Sequence, residues 1–263
     1  MDLLASAEPL AKPGMPRHPA PSRILEIGCG TGVLTEMLAD VFPSAEVDAV
    51  DVSPAMTIKA RAYLSGNRII NWIVQDACNL SENIKYPLII SNCALHWITP
   101  IEMIIGKLGA MLEQNGKLVF AIMLRGTLGE LNSARQRITP HKPPRIILPG
   151  ASDVRQAVKK AGLKITSEKT ETIRNVYASP EQMLRQFHDQ GLTGGNIPHH
   201  KLLLTRSEIS SLIADYSKNY KCKKDGKSVY ASYRVFYCVA VKRAGTINST
   251  KTRGCHSRQS AAD

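Results

Sequence analysis

RILEIGCGTGVLTEMLADVFPSAEVDAVD, residues 23–51, is the stretch whose reading decides the fold. An apolar run from Arg23 to Ile27 is followed by glycines at positions 28, 30 and 32, an amphipathic stretch, and a second apolar run ending in Asp51. This order reads as strand, tight turn, helix (Thr31 to Asp40) and strand, which is half of a nucleotide-binding βαβ arrangement. The glycines let the backbone turn sharply and leave no Cβ between the loop and a ligand. Asp51 follows Gly32 by 19 positions and stands where a carboxylate accepts two hydrogen bonds from ribose hydroxyls. The unit points to an adenosine-containing cofactor.

Spacing and charge narrow that cofactor. A dinucleotide fingerprint is G-x-G-x-x-G with pyrophosphate at the helix N-terminus, whereas this loop is G-x-G-x-G. Glu26, two residues ahead of the first loop glycine, repels a phosphate and suits an ammonium or sulfonium group. Glu26-Ile-Gly28-Cys-Gly30-Thr-Gly32 resembles motif I of the class I methyltransferases, which implies S-adenosylmethionine as cofactor.

Outward from this unit, Ser53-Pro54 caps a helix to about Leu64, and Ile69 to Gln75 is a third strand ended by Asp76. Pro87 to Asn92 is a fourth strand, Pro100 to Leu112 has helical spacing, and Asn115-Gly116 turns into a fifth strand, Lys117 to Leu124. Five strands alternating with helices give a doubly wound parallel sheet. Beyond it come helices at Thr127 to Ile138, Ser152 to Ala161, Pro180 to Gln190 and Arg206 to Tyr220, and long strands at Lys164 to Tyr177 and Val229 to Lys242. The expected fold is α/β: a Rossmann-like, mostly parallel seven-stranded sheet with an antiparallel edge and a helical lid. Residues 1–22 form a Pro-rich segment, 23–243 one domain with lid insertions at about 125–150 and 179–220, and 244–263 a disordered tail.

Composition bounds the rest. The 263 residues are 43% apolar, enough for one large core, and the longest apolar stretches are of strand length. Six cysteines show no metal-ligand spacing, so reduced thiols and no metal are expected. With no secretory signal pattern in the first 22 residues, a cytoplasmic protein is expected. The net charge is +12; Lys251, Arg253 and Arg258 against Asp263 place +2 in the tail and leave +10 on the rest. Such a field suits an acidic partner and does not choose among partners.

Ligands of open α/β sheets lie beyond the carboxyl ends of the strands, where Glu26, Asp51, Asp76 and Asn92 all fall. One pocket explains them: loop glycines for an amino-acid moiety, Asp51 for ribose, Asp76 for the adenine amino group, Asn92 beside the methyl donor. Asp76 is alternatively a plain helix N-cap.

Further motifs carry a closer resemblance: Asp51-Val-Ser53-Pro54-Ala-Met56, Asp76, Ser91-Asn92-Cys-Ala94-Leu95-His96-Trp97, Gly116-Lys-Leu-Val-Phe120, Gly126-Thr127-Leu128-Gly-Glu130-Leu131 and Leu204-Thr205-Arg206-Ser207-Glu208. With the glycine loop, these resemble the malonyl-acyl-carrier-protein O-methyltransferases of biotin synthesis over roughly Arg23 to Lys242. The resemblance implies cofactor contacts at Glu26, Gly28, Cys29, Gly30, Gly32, Asp51, Val52, Met56, Asp76, Ala77 and Asn92. It also implies methylation of the free carboxylate of a malonyl thioester on acyl carrier protein, masking its charge for chain elongation. A carboxylate ionised at neutral pH is itself the nucleophile, so positioning and water exclusion suffice and no base is needed. Family members begin with a longer, aromatic-containing helical segment; the 22 Pro-rich residues here read either as a shortened cap or as the result of a misassigned start codon.

The insertion offers Arg125, Arg135, Arg137, Lys142 and Arg145 to a substrate carboxylate, and Arg145 is the chosen catalytic residue. His96 is a hydrogen-bond donor to substrate or a cap of the next helix, and Trp97 reads as core. Lys159, Lys160, Lys201 and Arg206 are candidates to grip the acidic carrier. The expected partner is malonyl acyl carrier protein, with no nucleic acid, no membrane and a monomeric state. Methylation of another small carboxylate, such as aconitate, and an impaired fold serving as a binding module are the alternatives. An RNA methyltransferase lacks support in an amine-methylating motif or an aromatic platform.

Overall fold

The parallel half of the sheet forms because its apolar runs are buried on both faces. A computed structural model describes residues 20–64, 69–142, 147–189, 204–222 and 225–243. Arg145, Lys201, most of the Pro-rich segment, the Gly-rich turn at 191–198 and the tail from Ala244 lie outside the described residues. In chain order the elements are β1 (Arg23–Ile27), α1 (Val33–Val41), β2 (Glu46–Asp51), α2 (Pro54–Tyr63), β3 (Ile70–Val74), β4 (Tyr86–Asn92), α3 (Ile101–Met111) and β5 (Leu112–Met123). There follow α4 (Gly129–Ile138), α5 (Ala151–Lys160), β6 (Leu163–Tyr177), α6 (Pro180–Asp189), α7 (Arg206–Asn219) and β7 (Val229–Lys242).

The seven strands order as β3-β2-β1-β4-β5-β7-β6. Strands β1 to β5 pair in parallel, and β7 runs antiparallel between β5 and β6. The expected fold class is therefore the observed one. Strand order reverses between β1 and β4, which creates the crevice at the carboxyl ends where such sheets take ligands.

Alternation along β5 and β7 divides the core. Leu118, Phe120 and Ile122 face one side with Phe236, Cys238 and Ala240, against α3 and α5. Val119 packs on the other side with Leu38 and Phe42 around α1. Ala121, Val235 and Tyr233 continue that second side into a separate cluster with Met183, Phe187, Leu212 and Tyr216 of α6 and α7.

Two boundaries differ from expectation. Helix α1 starts at Val33 rather than Thr31 because Gly32, at φ 90°, still belongs to the left-handed turn. Strand β5 starts at Leu112, directly after α3, and the expected Asn115-Gly116 turn is an irregularity within it, opposite a register shift at Tyr86/Leu88. A Cβ on Gly116 would lie 2.9 Å from the Glu113 carbonyl oxygen and 3.0 Å from that of Tyr86.

Candidate active site

The glycine loop leaves β1 and folds across the end of β2, where the Val50 carbonyl accepts hydrogen bonds from the amides of Gly28 and Cys29. The three glycines have different reasons to be there. A Cβ on Gly28 would meet the Ala94 Cβ at 2.2 Å, and one on Gly32 would meet Ala60 and Leu64 at 3.1 Å, so both serve internal packing. Only at Gly30 does the missing Cβ open onto free space. Internal packing thus accounts for the missing Cβ at Gly28 and Gly32 and not at Gly30. Cys29 contributes backbone only, since its side chain is buried in the core beside α1.

Glu26 is buried beneath the loop, 1% exposed. Its Oε2 accepts a 2.6 Å hydrogen bond from the Thr35 hydroxyl, while Oε1 has no partner among the described residues. Burial pushes its pKa up to about 7 against the lowering effect of Thr35, with Asp51 adding to the rise. A buried carboxylate oxygen without a donor has the chemistry of a site for a cationic ligand. Asp51 accepts from the Gly30 amide on one oxygen and from the Ser53 amide on the other, each at 2.9 Å. Each oxygen keeps a lone pair for a ribose hydroxyl.

Around these lie the other expected contacts. Val52 is 70% exposed, Met56 is half-buried and Ala77 is buried. Asp76 does cap the short 3-10 turn Ala77–Asn79, its Oδ1 accepting from the Cys78 amide at 2.8 Å. Both readings of Asp76 are compatible, because the cap uses one oxygen of an exposed carboxylate.

From Asn92 a cleft of about 690 Å³ runs over the second side of the sheet, lined by His96, Trp97, Met123, Tyr177, Gln186 and Tyr233 among others. Trp97, expected in the core, is 47% exposed and walls this cleft. His96 sits in the 3-10 turn Leu95–Trp97, buried, its ring 5.1 Å from that of Trp97. It caps no helix: α3 begins at Pro100 without a side-chain cap. Desolvation pushes the His96 pKa down to about 4, so the imidazole is neutral at physiological pH. Its Nδ1 has no partner among the described residues.

Three of the insertion's cations are paired within the protein. Arg125 pairs with Asp153 at 3.4 Å, Arg137 holds both oxygens of Asp215 at 2.6 and 3.0 Å, and Lys142 holds both oxygens of Glu208 at 2.7 Å. Arg174 lines the cleft, yet its register opposite Ser232 puts its side chain on the face away from Tyr233, stacked 4.2 Å over the Tyr230 ring. The cleft-facing side chains among the described residues are uncharged.

Two of the motifs that carry the resemblance have structural roles. In Gly126–Leu131, the Thr127 hydroxyl bridges the Arg234 amide and carbonyl, Leu128 donates its amide to the Ser232 carbonyl, and Glu130 accepts from the Ser232 amide. Together they dock α4 on β7. Thr205 and Glu208 form a reciprocal capping box that starts α7. Lys159 and Lys160 close α5 next to Leu163, at the end of β6 away from Tyr177. Arg206 is exposed in the first turn of α7.

Residues 25–118, the stretch that holds the loop and Asp51, match a methyltransferase domain family. The chain is 41% identical over 117 residues to a malonyl-[acyl-carrier protein] O-methyltransferase of Anoxybacillus flavithermus; that match takes in 44% of each protein, less than half of the relative's length. A longer match, 26% identical over 219 residues, joins 83% of the chain to 82% of malonyl-[acyl-carrier protein] O-methyltransferase 2 of Ilyobacter polytropus. Among solved structures, phosphoethanolamine N-methyltransferase 2 of Haemonchus contortus superposes with a TM-score of 0.52 at 19% identity, over 85% of this chain and 49% of that one. Beyond residue 118 the chain adds the end of β5, then β6, β7 and the four helices α4 to α7. The residues missed in the sequence were Tyr177, Tyr233 and Gln186, whose only signal was their place in strand and helix patterns.

Proposed function

We propose that the protein is an S-adenosylmethionine-dependent carboxyl O-methyltransferase acting on the malonyl thioester of acyl carrier protein, whose methyl ester primes pimeloyl synthesis for biotin. The observation that carries this reading is the junction at Asn92. It ends β4 beside the glycine loop and also begins the uncharged cleft, so a methyl donor and an acyl group would meet there. Similarity to proteins named malonyl-[acyl-carrier protein] O-methyltransferase supports the choice of substrate.

In this reading Glu26 Oε1 faces the cofactor's ammonium, the Gly30 backbone lies against its amino-acid part, Asp51 accepts from the ribose and Asp76 from the adenine amino group. Met56, Val52 and Ala77 supply apolar contact. Bound S-adenosylmethionine would supply an electrophilic methyl group to a carboxylate that is already the nucleophile, so the chain's residues have only to position the two and need move no proton. His96, uncharged, leaves the carboxylate its charge, and Trp97 and the helices α4, α6 and α7 act as a lid that excludes water. Arg145, outside the described residues, remains the proposed cationic group, holding the substrate's thioester carbonyl.

Incubation with malonyl acyl carrier protein and S-adenosylmethionine, followed by intact mass measurement, tests the reading. A gain of one methyl on the malonyl form and none on the acetyl form is expected. Equal labelling of both, or of neither, removes the proposed substrate.

A further inference from the structure

Tyr177, at the end of β6, and Tyr233, in β7, are brought face to face in the cleft with their hydroxyl oxygens 2.8 Å apart. They are 7% and 8% exposed, and Phe187 packs edge-on against both rings, at 5.8 and 6.4 Å, which holds the pair in place. Two phenols carry two hydroxyl hydrogens. One closes the shared hydrogen bond; the other has no acceptor among the described residues. Burial, aided by Tyr177, raises the pKa of Tyr233, so Tyr233 keeps its proton at neutral pH. The same cleft contains the buried His96, whose Nδ1 also has no partner. A polar cleft with unspent hydrogen-bonding groups and no described cation directed into it is built for a polar ligand rather than an apolar chain end.

A neutral donor has a specific advantage for a carboxylate that must attack. A guanidinium fork holding both oxygens stabilises the ground state and reduces their nucleophilicity; one phenol O–H holds one oxygen and leaves the other electron-rich. We propose that the Tyr177–Tyr233 hydroxyl pair binds the substrate carboxylate and so selects an acyl thioester ending in a carboxylate over one ending in a methyl group. This rests on the reading of the cleft as the acyl site of a malonyl methyltransferase.

The test uses the full chain saturated with S-adenosylhomocysteine, so that no methyl is transferred. Calorimetric titration compares malonyl-N-acetylcysteamine with acetyl-N-acetylcysteamine; neither carries a phosphate, which removes the pantetheine arm's charge as an explanation. The wild type is expected to favour the malonyl form by about tenfold or more. In the Tyr177→Phe/Tyr233→Phe variant the preference should fall to within about twofold, with S-adenosylhomocysteine affinity unchanged. Removing both hydroxyls together leaves neither orphaned and preserves the ring packing. In the wild type, the malonyl thioester and not the acetyl one should shift the Tyr177 and Tyr233 Cζ resonances. A double variant that keeps the preference, or resonances indifferent to the malonyl group, overturns the inference and leaves the methyltransferase reading intact. A wild type that binds both thioesters alike overturns both.

Discussion

With Glu26 facing the cofactor's ammonium, as proposed, cofactor binding is coupled to the loss of a proton. The Glu26 carboxyl titrates near 7 because burial outweighs the Thr35 hydrogen bond, so a cationic ligand at Oε1 must draw it into the charged form. S-adenosylmethionine affinity should therefore rise between pH 6 and 7.5, below the range in which a free α-amino group loses its proton, with proton release visible in calorimetry across buffers. Glu26→Gln should flatten that dependence and weaken binding about tenfold. The glycines give a second residue-level contrast. Gly28→Ala forces a Cβ into Ala94 and should lower the thermal midpoint strongly, whereas Gly30→Ala meets no protein atom. With its φ of 55°, Gly30→Ala should lose about 1 kcal/mol of stability, yet its cofactor Kd should rise disproportionately. Equal losses of stability in the two variants would remove the assignment of Gly30 to the ligand side.

At the level of elements, α4 is held by hydrogen bonds to the backbone of β7 rather than by a wide apolar face. Thr127→Val leaves the Arg234 amide and carbonyl without their bridge and should lower unfolding free energy by about 1–3 kcal/mol in urea titration, with cofactor affinity unchanged. The parallel half was legible in the sequence because period and punctuation are local: the apolar run, the glycine spacing and the Ser53-Pro54 cap each sit within a few residues of the feature they encode. The cleft was not legible. Tyr177 and Tyr233 are 56 positions apart and meet only through the β6–β7 register, which pairs Tyr177 with Val229 and Ile173 with Tyr233. The same register turns the Arg174 side chain away from the cleft, and α5 places Lys159 and Lys160 beside the Leu163 end of β6, outcomes that charge and spacing do not encode.

For the molecule as a whole, the end of the sheet opposite the ligands holds a buried polar centre. Asp48, 1% exposed, accepts from Arg23 at 2.8 Å, Tyr86 at 2.7 Å and Asn71 at 2.9 Å. Burial alone would raise its pKa, but the hydrogen bonds from Arg23, Asn71 and Tyr86 more than offset this and leave it lowered. A lowered folded-state value means that the stabilisation is complete above the unfolded value of about 4 and is lost as pH falls through the folded one. The urea midpoint should therefore drop below about pH 4 in the wild type, and Asp48→Asn should be destabilised at pH 7 with a flatter acid limb. An acid limb that is the same in both proteins would assign the loss to other carboxylates.

The place of β5 has a consequence for synthesis. On one side β5 pairs with β4, which precedes it, but on the other its partner is β7, which ends at Lys242. A nascent chain that has just completed Met123 already carries the loop, Glu26 and Asp51, while the Lys117 to Met123 edge stays open until β7 emerges. At about 5–20 residues per second, that apolar edge waits roughly 6–24 s for its strand. This interval is when the chain is most exposed to edge-to-edge association with its neighbours, and when a bound trigger factor or early cofactor would shelter it most.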